Sequence, residues 1–114
     1  MSTAGDPSSE NAAIYFLIFL NMVPGKNLSP EVLGLHAAHL SKLDRSGRLV
    51  LAGPIPERAG GLIALRVANL ADAKAVADED PLVWGGYQTY EIGTWLISNR
   101  QNGYRPHLQQ EHQK

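Results

Sequence analysis

Two histidines three residues apart, His36 and His39, stand on the apolar side of a predicted helix in the stretch Leu35-His36-Ala37-Ala38-His39-Leu40, and an aspartate, Asp80, stands directly before Pro81. An imidazole with one nitrogen held by a carboxylate has its tautomer fixed, and its other nitrogen is free to take a proton from a carbon or a hydroxyl near neutral pH. The chemistry on offer is therefore proton transfer, and helical phase leaves both histidines as candidates for the base. A divalent metal held by His36, His39 and Asp80 is the minority reading. The interval of three permits it, but no HExxH run or second histidine cluster accompanies it, so no metal site is assigned.

Composition narrows the partner. The chain has 114 residues, room for one domain and not for a separate cofactor-binding domain, so no cofactor is expected. Ten Lys plus Arg against 11 Asp plus Glu leave a formal charge of -1, which gives no broad footprint for nucleic acid or for an anionic membrane. With no cysteine there is no disulfide framework and no thiolate, and a cytoplasmic location is expected. The apolar run from Ala12 to Leu20 follows Asp6 and Glu10 rather than a basic segment, unlike a signal sequence. It is also too short to span a membrane, and it reads as a buried strand. The expected partner is a small molecule.

The elements that must position these groups follow from local signals. Residues 1–11 have too little apolar material to pack and read as a loose leader, ahead of a single domain over residues 12–98 and a polar tail or dimer arm over residues 99–114, with Arg100, Arg105, His107 and His112. Ala13 to Val23 is a strand without alternation, closed by Pro24-Gly25. Ser29-Pro30-Glu31 starts a helix that runs to about Ser46, where Gly47 ends it. At about 100° per residue, Val32, Leu33, Leu35, His36, His39, Leu40 and Leu43 share its buried arc. Arg48 to Ala52 is a second strand stopped by Gly53-Pro54, and Gly61 to Val67 a third, with a loop between them carrying Glu57 and Arg58. Asn69 caps a second helix, which Asp80-Pro81 closes. Tyr87 to Leu96 alternates as the fourth strand.

Strand, helix, strand, strand, helix, strand is the order of the ferredoxin-like βαββαβ arrangement, an α+β fold with an antiparallel sheet and two helices on one face. The bare sheet face would then meet the same face of a second subunit, so a homodimer is expected.

His39-Leu40 with Leu43, Leu49-Val50-Leu51-Ala52-Gly53-Pro54, and Asp80-Pro81 followed by Gly86 resemble, in order and spacing, the YCII-related family, over roughly residues 13 to 97. The resemblance implies a dimeric α+β barrel with a His–Asp site. More distantly, the chain is similar to dehydrochlorinase and muconolactone isomerase relatives of that fold, whose chemistry is proton transfer on a cyclic organic acid or phenol. The resemblance singles out His39, through its neighbour Leu40, as the catalytic base, and Asp80 as its orienter. It leaves His36 as a neighbour that can line the same pocket. Gly53 and Pro54 are candidate pocket formers, Trp84 and Tyr15 a candidate aromatic wall, and Arg58 a candidate contact for a substrate carboxylate; each also has an ordinary structural reading as turn, core or solvated loop.

The function this reading supports is a lyase or isomerase acting on a small cyclic oxygenated substrate. The alternative is a non-catalytic dimeric module that binds a small ligand, and oxygenation is a weaker third option.

Overall fold

β1 (Ile14–Met22) carries the rest of the sheet, in a computed structural model that describes residues 14–106. Phe16, Ile18 and Leu20 are buried, while Leu17 and Phe19 between them are half-buried. The sequence is apolar at all of these positions, so only the covering of one face by helices reveals the period of two.

α1 (Pro30–Arg45) begins where predicted: Ser29 Oγ accepts the Val32 N–H at 3.1 Å and Pro30 takes the first helical position. Gly47, at φ 79°, follows its end. Its buried stripe is narrower than helical phase predicts. Leu43 is fully buried and Val32, His36, His39 and Leu40 are half-buried, but Leu33 and Leu35 are 45% and 52% exposed. The N-terminal half of α1 does not close on the sheet; Leu33, His36 and Leu40 border a cavity instead.

β2 (Leu49–Ile55) and β3 (Gly60–Leu65) are joined by a 3-10 turn, Pro56–Arg58. The stop predicted at Gly53-Pro54 does not occur, since β2 runs through it and pairs Gly53 with Leu62 and Pro54 with Gly61. β2 is an edge strand, so the N–H that proline lacks is not needed by a neighbour on its outer side.

α2 (Leu70–Glu79) is capped as predicted, Asn69 Oδ1 accepting the Asp72 N–H at 2.8 Å. Pro81 holds Asp80 at ψ 125° and ends the helix. The chain then re-enters a helix at once, in a single turn the sequence reading did not contain: α3 (Pro81–Trp84), with Asp80 as its N-cap. β4 (Gln88–Leu96) completes a four-stranded sheet of order β2-β3-β1-β4. β1 lies antiparallel to β3, from Phe16 opposite Leu65 to Asn21 opposite Gly60, and β2 lies antiparallel to β3. This is the ferredoxin-like α+β arrangement expected. Phe16, Ile18, Leu20 and Leu65 of the sheet join Leu43 of α1 and Ala73, Val76 and Ala77 of α2 in one core.

Close contacts divide the chain into two units. Phe16–Gly93 holds that core and the site described below, and the second unit's described part is residues 14–15 and 94–106. Within the second unit Tyr15 meets Trp95 edge-on, ring centroids 6.3 Å apart, and Asn99 and Asn102 exchange backbone-to-side-chain hydrogen bonds of 3.0 Å. No described helix is long and apolar enough to cross a membrane. The proposed leader, His107 and His112 lie outside the described residues.

Candidate functional site

Asp80 owes its position to Pro81, which turns the chain out of α2 and leaves the carboxyl group at the start of α3, beneath α1. It is 1% exposed, and its Oδ1 accepts the Leu82 N–H at 2.9 Å. The same oxygen stands 2.9 Å from Nδ1 of His36. A carboxylate oxygen only accepts, so Nδ1 carries a hydrogen, and in the neutral imidazole Nε2 then has the lone pair. The His36 side chain is 18% exposed and borders the cavity.

The expected pairing of His39 with Asp80 is thus corrected: the histidine bonded to Asp80 is His36. Both lie within the buried arc of α1, and the choice between them is made by the corner between α2 and α3, which lies under the turn that carries His36. His39 has no place in the cavity lining. Its Nε2 is buried without a hydrogen-bond partner, as is Oδ2 of Asp80. Among the described residues no three His, Asp or Glu side chains converge as a metal-ligand set.

Burial lowers the His39 pKa below its ordinary 6.5. Asp80 and Glu79 pull it upward by less, and His36 and Arg48 push it down further. The unfolded chain therefore takes up a proton on this residue as pH falls through about 6.5, while the folded chain does so only at lower pH. Stability rises with pH across that window and falls on acidification. The melting temperature of the protein is expected to drop between about pH 7 and about pH 5, and the drop to be shallower in His39→Gln. An unchanged slope in the variant would exclude His39 as the titrating group.

The cavity measures about 380 Å³. Leu33, His36 and Leu40 of α1 and Leu82 of α3 bound it on the helical side, and Gly53, Pro54, Gly60 and Gly61 of the β2–β3 hairpin on the sheet side. Among its described lining residues the only polar side chains are those of His36 and Gln88.

Of the residues proposed from sequence to bind substrate, His36, Gly53 and Pro54 line this cavity, whereas Arg58, Trp84 and Tyr15 are not among its lining residues. The 3-10 turn ends at Ala59, φ 54°, and Arg58 donates to Asn21 Oδ1 at 3.1 Å, with its guanidinium carbon 5.7 Å from the Phe19 ring centroid. Phe19 and Asn21 alternate with the buried residues of β1, so Arg58 lies at the sheet face turned away from the helices. Trp84, at the end of α3, is 66% exposed, and Tyr15 packs with Trp95 in the other unit. The sequence reading passed over Gln88. The signal was there: the period of two in β4 puts Gln88 in phase with Tyr90 and Ile92, which pack on the core.

Comparison with known proteins gives a matching family model, the YCII-related domain, over residues 14–96. No curated protein sequence matches the chain. Among solved structures the chain is similar to the 5-chloro-2-hydroxyhydroquinone dehydrochlorinase of Burkholderia phenoliruptrix AC1100 in complex with 2,5-dihydroxybenzoquinone, with a TM-score of 0.56 and 19% identity over 76% of this chain and 97% of that one. A likeness at that identity carries the fold alone.

Proposed function

The chain belongs to the YCII-related family, and from that premise we propose that it is an enzyme of the lyase or isomerase kind, moving a proton on a small cyclic oxygenated molecule with His36 as base and Asp80 as its orienter. The observation that carries this reading is the 2.9 Å contact between His36 Nδ1 and Asp80 Oδ1, made by a histidine that borders an apolar cavity. Nε2 removes a proton from a ring carbon or hydroxyl. The electron pair left behind moves into the ring oxygen system, or forms a new double bond as a leaving group departs from the neighbouring carbon with its own pair. Asp80 stabilises the imidazolium so formed, and His36 then returns its proton to the isomerised product or to solvent. The solved neighbour, named for removing chloride from a hydroxylated ring and bound to a ring diketone diol, supports this choice of substrate class.

The test is chloride release from 5-chloro-2-hydroxyhydroquinone. The wild-type protein is expected to turn it over, and His36→Ala to lose about a hundredfold to ten-thousandfold in rate, the usual worth of a positioned base. His39→Ala is expected to keep most of the activity. Turnover that survives His36→Ala, or a wild-type protein that releases no chloride from this compound or its methylated homologues, would sink the reading.

A further inference from the structure

Gln88 occupies a position where a strand over a core is expected to place an aliphatic side chain. Tyr90 and Ile92 share its phase in β4 and pack against the core, and Gln88 itself is only 7% exposed. Its Nε2 donates to Met22 Sδ at 3.1 Å, a weak acceptor. That contact also orients the amide, because thioether sulfur does not donate and so faces the NH₂ end. Oε1 is left buried without a partner. A buried acceptor with no hydrogen bond destabilises the free protein, and a leucine at this position would not carry that penalty. An amide kept at such a position, in the lining of an otherwise apolar cavity, points to a bound molecule that completes it.

We propose that Gln88 is the second polar anchor of the cavity and sets its specificity for neutral monocyclic diols, one hydroxyl of which donates to Gln88 Oε1 while another polar group of the ring meets His36. The inference rests on the cavity being the substrate site, as proposed above. On this proposal the ligand meets a lone pair at each anchor, Oε1 of Gln88 and Nε2 of His36, and must bring a hydrogen to each. An ether or a quinone carbonyl brings none. A carboxylate would set acceptor against acceptor in an apolar enclosure, where its lost hydration is not replaced. A cavity of about 380 Å³ lies at the small end of ligand sites, the size of a single substituted ring.

The experiment is calorimetric titration of the full chain with two probes of the same skeleton, hydroquinone and its dimethyl ether, which has no hydrogen to donate. Wild-type protein is expected to bind hydroquinone at least about tenfold more tightly than the ether, as one neutral hydrogen bond is worth. Gln88→Leu is expected to lose that preference through about tenfold weaker binding of hydroquinone, while its own melting temperature rises by a few degrees as the orphaned oxygen disappears. Equal binding of the two probes by the wild-type protein, binding of neither, or full affinity for hydroquinone in Gln88→Leu each overturns the inference. The nitrogen NMR signal of His36 Nε2, followed in the same titration, separates it from the proton-transfer reading. A His36 signal that responds to hydroquinone while Gln88→Leu changes nothing defeats this inference alone. Selectivity that depends on Gln88 while His36 stays silent leaves Gln88 as the selecting anchor but overturns the second contact, to His36, and with it proton transfer by His36.

Discussion

Asp80→Ala is expected to remove about 3 kcal/mol of folding stability, because three separate consequences meet at one carboxyl group. The α3 turn loses its N-cap, worth about 1 kcal/mol. His36 Nδ1, bonded to the same Oδ1 as the capped Leu82 N–H, is left without its acceptor at a cost of about 1–3 kcal/mol if it stays buried. The side chain is 1% exposed, so its removal also leaves a void. Against these stands the relief of not burying a carboxylate, which brings the sum down to the figure given. Asp80→Asn separates folding from chemistry. It keeps the volume and an oxygen for the Leu82 N–H, and is expected to cost only about 1 kcal/mol. Its oxygen, standing where Oδ1 does, accepts from His36 Nδ1 as well, so the tautomer is kept while the negative charge that stabilises the imidazolium is lost. The base is weakened with that charge, and turnover is expected to fall by about a hundredfold to a thousandfold. Urea denaturation measures the first effect, and the His36 nitrogen signals with chloride release measure the second. Asp80→Ala within about 0.5 kcal/mol of wild type would show that the buried carboxyl organises nothing.

Why the sequence located Asp80 but paired it with the other histidine follows from the range of each signal. Caps and breakers act within one turn, so Ser29, Asn69 and Pro81 place three helix boundaries correctly. Strand alternation also acts locally, and it marks Gln88 as out of keeping with its neighbours once Tyr90 and Ile92 are known to face the core. His36 and His39 are a different matter. Only about 60° of helical arc separates them, and both fall on the half-buried side. What distinguishes them is the height at which the α2–α3 corner meets α1, a tertiary relation that no window of sequence contains. α3 was missed for the same reason, since one helical turn is too short to hold by propensity and is kept by the Asp80 cap and by packing on α1. Gly53-Pro54 misled in the opposite direction. The pair stops most strands, but at the edge of a sheet the missing N–H has no partner to lose.

Gly60→Ala is expected to cost about 3 kcal/mol or more, although the substitution adds a single methyl group. Gly60 opens β3 and pairs with Asn21 of β1, and a Cβ built on it would run into the backbone carbonyl oxygen of Leu20. That carbonyl belongs to an inner strand whose register fixes which side chains face the core, so it cannot step aside as a flexible side chain would. Gly61 provides the comparison. A Cβ there would stand 3.0 Å from the Gly53 carbonyl oxygen, on the edge strand β2, which can give by a few tenths of an ångström. Gly61→Ala is accordingly expected to cost about 1 kcal/mol. Both glycines and Leu20 border the cavity, so the two variants also read out its construction. Displacing the Leu20–Asn21 segment moves a cavity wall, and Gly60→Ala is expected to lose hydroquinone binding even where enough folded protein remains to titrate. Gly61→Ala is expected to retain it, because β1 is undisturbed. Glycine in a strand weakens it by about 0.5–1 kcal/mol relative to alanine, a cost this chain bears twice in succession at the cavity's sheet side. Guanidinium denaturation of the two variants decides the matter. Gly60→Ala as stable as Gly61→Ala would mean that β1 and β3 do not approach as closely at Leu20 as the register requires.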